Sequence, residues 1–107
     1  MSIPPLPDSI LIAIDTIRRY YIHMNSKHMK TLRAIYTTPP PAGLMWADIE
    51  ALFLAIGAKA REGNGSRVKF DYEGRVIAFH RPHNPKTARA YQITLAREFF
   101  EKIGVRP

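Results

Sequence analysis

The chain has no cysteine among its 107 residues, so neither a disulfide framework nor a thiolate zinc site can hold it together. Acidic residues are scarce: nine Asp and Glu stand against sixteen Lys and Arg, a formal net charge of +7. Long apolar runs are missing too. The longest near the start, Ile10 to Ile14, is far short of a bilayer span and follows no basic leader of the secretory kind. A soluble, cytoplasmic protein without a membrane partner is the expectation. There is no internal repeat. The glycine-bearing turn Gly63-Asn64-Gly65-Ser66 leads into a strand and lacks the lysine of a phosphate-cradling loop.

What is present suffices for one small domain with a single modest core. The positive charge is concentrated: from Lys59 to Arg89 there are eight basic residues and three acidic ones. Such a surface favours polyanions, nucleic acid above all. The alternative is a solvated basic face without a ligand.

Residues 1–7 hold three prolines and read as an irregular lead. From Asp8 or Ser9 as N-cap, Ile10, Ile14, Ile17 and Tyr21 recur at helical spacing. A second short helix is expected over Lys27 to Tyr36, capped by Asn25-Ser26, with His28, Leu32, Ile35 and Tyr36 on one side. Thr37-Thr38-Pro39-Pro40-Pro41-Ala42-Gly43 breaks any helix and reads as a stiff linker. The expected division is therefore an N-terminal helical extension with its linker over residues 1–41 and a compact domain over 42–107. In that domain a helix opens at Met45 or Trp46, with Ile49, Leu52, Phe53 and Ile56 forming an apolar stripe and Gly57 ending it. Ala58 to Arg61 reads as a first strand. The last element, about Thr87 to Ile103, is a helix with Ile93, Ala96, Phe99, Phe100 and Ile103 inward.

Between these lies the most informative stretch. Val68, Phe70 and Tyr72 alternate with Arg67, Lys69 and Asp71, the period of two of a strand with one buried face. Glu73-Gly74 supplies a tight turn. A two-residue turn pairs Tyr72 with Arg75, Phe70 with Ile77, Val68 with Phe79 and Arg67 with His80, and a slip of one residue would turn one apolar set outward. The expected fold class is α+β: a three-stranded antiparallel sheet with two helices on one face, in the order αβββα, preceded by one or two helices.

His80 and His83 flank the end of this hairpin. Without a carboxylate or thiolate partner they do not complete a metal site, and no cofactor is expected. Imidazole suits acid–base chemistry, while Arg67, Lys69, Arg75 and Arg81 could hold phosphate and offset developing charge. The competing reading is structural, with His80 pairing across the sheet and His83 fixing the Pro82 to Pro85 loop. Ser66, the remaining candidate at the phosphate site, also reads as a turn former. Trp46 and Tyr91 are either base-stacking rings or core anchors.

With these residues in view, the segment from Trp46 to Val105 resembles the HicA family of toxins from bacterial type II toxin–antitoxin systems. The resemblance rests on Trp46-Ala47-Asp48-Ile49-Glu50-Ala51-Leu52, Gly57-Ala58, Glu62-Gly63-Asn64-Gly65-Ser66-Arg67-Val68, Phe79-His80-Arg81-Pro82-His83 and Arg97-Glu98-Phe99-Phe100. The stretch from Met24-Asn25-Ser26-Lys27-His28 to Ile35 is similar to the start of one branch of the family, which suggests Met24 as an initiator with residues 1–23 an upstream extension. The competing reading of those residues is a real helix that packs on the domain or binds the antitoxin. The resemblance implies a fold like that of the double-stranded-RNA-binding domain. It also implies metal-independent, ribosome-independent cleavage of messenger RNA through histidine acid–base chemistry, and neutralisation by a HicB-type antitoxin. Many relatives carry a histidine directly after the glycine–serine pair; here that position is Arg67. The expected acid–base group is then His80, with His83 a second candidate and Arg67 on the scissile phosphate. A member that binds RNA or its antitoxin without cutting is the alternative.

Overall fold

The computed structural model describes residues 3–11 and 24–107. Its elements run α1 (Ser26–Tyr36), α2 (Trp46–Ala55), β1 (Lys59–Glu62), β2 (Arg67–Tyr72), β3 (Arg75–His80) and α3 (Ala90–Ile103). The strands form one antiparallel sheet in the order β1-β2-β3. With helices packed on that sheet, the fold is α+β and contains the αβββα order expected of residues 42–107.

The hairpin has the register that its alternation requires. Tyr72 pairs with Arg75, Phe70 with Ile77, Val68 with Phe79 and Arg67 with His80. Glu73 and Gly74 have φ of +50° and +88°, the paired positive values of a type I′ turn, whose twist matches that of the flanking strands. Val68, Phe70, Tyr72 and Phe79 are buried beneath the helices. Phe53 of α2 is the hub of that core: its ring stacks on Phe70 at 4.4 Å and on Phe100 of α3 at 4.8 Å between centroids.

Helix α2 ends as its sequence predicts. Gly57 takes φ +97°, and the N–H of Ala58 donates to Phe53 O at 3.0 Å, closing the C-terminus with a left-handed residue. That use of Ala58 explains why β1 starts one residue later than expected. Helix α3 likewise begins at Ala90 rather than Thr87. Thr87 forms a bridge with Met45 and the Ala88 N–H donates to Leu44 O at 2.7 Å, so this backbone is already committed to the entry of α2.

The largest departure concerns α1. Its start is a capping box: Asn25 Oδ1 accepts from the His28 N–H at 2.9 Å, and the Asn25 N–H donates to His28 Nδ1 at 3.2 Å. Its apolar stripe is covered by α2 and α3. Leu32 and Ile35 are fully buried in the same core as Phe53, and the Tyr36 hydroxyl donates to Val105 O. Residues 26–36, which the sequence placed in an extension, thus help to build the domain centre. The proline run is a connection within one core rather than a boundary in front of it. Residues 8–11 are helical; the remainder of the helix expected to Tyr21 lies outside the described residues. No described helix is long and apolar enough to cross a membrane.

Candidate functional site

Because successive strand residues alternate sides, the register that buries Phe70 turns a second set of side chains to the open face of the sheet. That set is Lys59 and Arg61 from β1, Arg67, Lys69 and Asp71 from β2, and Val76, Ala78 and His80 from β3. Arg67 lies directly across from His80. Lys69 lies between Arg61 on one side and Ala78 on the other. Ala78 ends in a methyl group among longer neighbours, and here the face dips into an open cavity of about 580 Å³ lined by Arg61, Asn64, Arg67, Lys69, Ala78 and His80 among others.

The electrostatics of this hollow are one-sided. Two acids lie by it and both are committed. Glu62, in the lining, accepts from Arg81 at both oxygens, and Asp71 accepts from the Gly74 N–H at Oδ1, 2.9 Å, with Oδ2 3.7 Å from Arg61 Nη2. Among the described residues neither Arg67 nor Lys69 has an ion pair. Like charges directly opposite on neighbouring strands, as Arg61 and Lys69 are, disfavour the sheet. An anion in the cavity would offset that cost.

Two contacts hold the pair at the cavity edge. A Cβ on Gly63 would meet Arg67 Cβ at 3.0 Å, and the Gly63 N–H donates to Arg67 O at 2.9 Å, so glycine permits the close approach that fixes Arg67. Gln92, buried in the first turn of α3, donates from Nε2 to His80 O at 2.8 Å while its Oε1 accepts from the Arg89 N–H at 2.9 Å. The sequence reading missed Arg61, Asn64 and Gln92. For Arg61 the signal was its alternation with Ala60; for Gln92 nothing local distinguishes a helix-capping amide from one that also reaches a strand.

Four of the proposed site residues lie elsewhere. Arg81 is taken by carboxylates: its Nε donates to Glu50 Oε1, and its Nη1 and Nη2 donate to the two oxygens of Glu62, each at 2.6 Å. Those hydrogen bonds, from Glu62 first and Glu50 second, raise the guanidinium above its ordinary value, and the bond from Arg81 holds the Glu62 carboxyl below its own. Arg81 therefore ties α2 to β1 and the end of β3, and its fork is not free for phosphate. His83 lines a separate cavity of about 330 Å³ with Met45, Trp46, Glu50 and Lys86, so it does not pair with His80. Arg75 is cross-strand partner to Tyr72, on the sheet side opposite to Arg67. Ser66 accepts the Arg81 N–H at its carbonyl, 2.8 Å, a backbone role at the hairpin mouth. Of the rings weighed for stacking, Trp46 is a core anchor at 5% exposure, whereas Tyr91 is 61% exposed.

The Arg81 clamp predicts a measurable stability term. Arg81→Met should lower the denaturant midpoint, chiefly through the lost part-buried bond to Glu50, because the pairing with the exposed Glu62 is screened by solvent. Since the folded Glu62 value is lowered, its contribution is present above the ordinary carboxylate value of 4.5 and lost as pH falls through the folded one. Denaturant titrations at pH 7 and pH 3 should show that acid loss shrinking in Arg81→Met; an unchanged acid loss would remove the clamp from the account.

Comparison of the chain with family models, with curated proteins and with solved structures finds no match.

Proposed function

We propose that the chain is an endoribonuclease that cuts RNA without a metal on its open sheet face, as a cytoplasmic toxin of the HicA kind held in check by a HicB-type antitoxin. The observation that carries this reading is the placement of His80 directly across from Arg67 at the rim of a basic cavity shared with Arg61 and Lys69. In this reading Arg67 and Lys69 bind the scissile phosphate and stabilise the charge that grows on its oxygens. His80 takes the proton of the adjacent 2′-hydroxyl, whose oxygen attacks phosphorus as the bond to the 5′-oxygen breaks. The same imidazolium then returns the proton to the departing oxygen. The products are a 2′,3′-cyclic phosphate and a 5′-hydroxyl, and DNA, lacking the nucleophile, is bound but not cut.

Arg67 at the position where many relatives carry histidine favours one other reading, RNA binding without cleavage. Incubating the purified chain with RNA in the presence of a chelator separates the two. Fragments ending in cyclic phosphate are the expected result. RNA retained in a salt-sensitive complex but left intact would establish the second reading in place of the first.

A further inference from the structure

We infer that the outer edge of β3 is a docking site for an extended, acidic segment of a partner protein, which adds to the sheet as a fourth strand and reaches over the basic cavity.

The two edges of the sheet are built differently. β1 is four residues long, and Lys59, Arg61 and Glu62 give it charge at three of them. Short, charged edges are how natural sheets discourage further pairing. β3 is longer and less charged: it has six residues, Arg75-Val76-Ile77-Ala78-Phe79-His80, of which Arg75 at the turn end carries the one formal charge, and Val76 is 55% exposed.

Hydrogen-bond phase shows which backbone groups remain. A two-residue turn makes Tyr72 and Arg75 a hydrogen-bonded pair, so Phe70–Ile77 and Val68–Phe79 are hydrogen-bonded pairs as well. The Arg81 N–H on Ser66 O continues the phase. Val76, Ala78 and His80 therefore direct their N–H and C=O to the outer edge. Gln92 takes the carbonyl of His80; among the described residues nothing takes the groups of Val76 or Ala78. Tyr91 and Leu95, one turn apart on α3 and 61% and 40% exposed, add apolar surface on the helix that Gln92 ties to this strand.

Unpaired strand groups call for an extended chain, and charge selects its kind. An added strand lies about 4.8 Å from β3, with alternate side chains beside Val76, Ala78 and His80 on the open face. Ala78 offers only a methyl there, so a carboxylate opposite it reaches across toward Lys69 and the cavity. A second copy of this chain would instead extend the sheet with another basic face on the same side, bringing like charges together. Docking itself does not depend on RNA cleavage; only the consequence, a blocked cavity, rests on the function proposed above.

The probe is a labelled ten-residue peptide of alternating Glu and Val, titrated into the full chain by anisotropy, with amide exchange followed by NMR. Alternating Lys and Val is the charge control. Saturable binding of the acidic peptide should slow exchange at the Val76 and Ala78 amides. Ala78→Pro removes an outward donor without breaking the β2–β3 ladder, and should weaken binding about tenfold, as expected for a lost backbone hydrogen bond. Val76→Lys serves as a second edge variant if the proline variant melts early. The inference is overturned if the acidic peptide fails to bind, binds both variants equally or leaves those amides unprotected. Equal binding of the basic peptide, or concentration-dependent protection of the same amides without peptide, would overturn the acidic partner in favour of a neutral strand or a second copy. Peptide binding by a chain that leaves RNA intact sinks the proposed function alone; RNA cleavage without peptide binding sinks this inference alone.

Discussion

His80→Ala should lower RNA cleavage by about 10²–10⁴-fold, the range for loss of a positioned acid–base group, while the melting temperature stays near that of the parent chain. The separation is expected because the His80 side chain is exposed, and the hydrogen bond that anchors this residue to α3 uses its backbone carbonyl. Arg67→Gln should cost about 10²-fold or more, through lost stabilisation of the phosphoryl oxygens, and should also weaken RNA binding. His83→Ala is the decisive companion. Lining a different cavity with Met45, Trp46 and Lys86, it should leave cleavage unchanged. Initial rates on a labelled RNA with chelator present check all three, and full activity in His80→Ala would remove the proposed chemistry from the open face.

Removing residues 1–41 should abolish cooperative unfolding, although the sequence places those residues outside the domain. The deletion takes away Leu32 and Ile35, whose burial is worth about 1.5–3 kcal/mol each, together with the Tyr36 bond to Val105. Against a total stability of about 5–15 kcal/mol for a native domain, and with newly exposed apolar surface on α2 and α3, little margin remains. The point variant Leu32→Ala isolates the packing term. It should cost about 2–5 kcal/mol, read as a shift in the denaturant midpoint at unchanged slope. A chain beginning at Met24 keeps the Asn25–His28 capping box and all three side chains, and should still melt cooperatively. Near-native stability after deletion to residue 41 would restore the boundary drawn at the proline run.

The site and the clamp beside it show why sequence reading stopped where it did. Arg67, Lys69 and His80 were legible because a strand has only two sides, and the burial of Val68, Phe70 and Phe79 decides which side is left over. Arg81 looked identical to them in composition and proximity. What removes it from the candidate site is the arrival of Glu50 and Glu62, 31 and 19 positions away in the chain, and nothing local to Arg81 announces either. His83 shows the same gap from the other direction. It stands three positions beyond His80, yet the strand ends at His80 and the chain then turns toward the entry of α2, carrying His83 to another cavity. Arg75 was assigned to the basic face by charge alone, while its pairing with Tyr72 already placed it on the opposite side.

The sequence by itself determined the local geometry: the two-residue turn at Glu73-Gly74, the hairpin register, the stop at Gly57 and the helix stripe through Ile49, Leu52, Phe53 and Ile56. Each follows from neighbours within a few residues, where backbone sterics and the need to bury one face leave a single arrangement. Only the tertiary structure decided that α1 belongs to the core, that Gln92 holds the end of β3, that Arg81 is bound by two carboxylates, and that β1 carries charge at one edge of the sheet while β3 lies open at the other. Those outcomes depend on which distant surfaces meet, and amphipathic stripes and charged side chains state that they need partners without naming them.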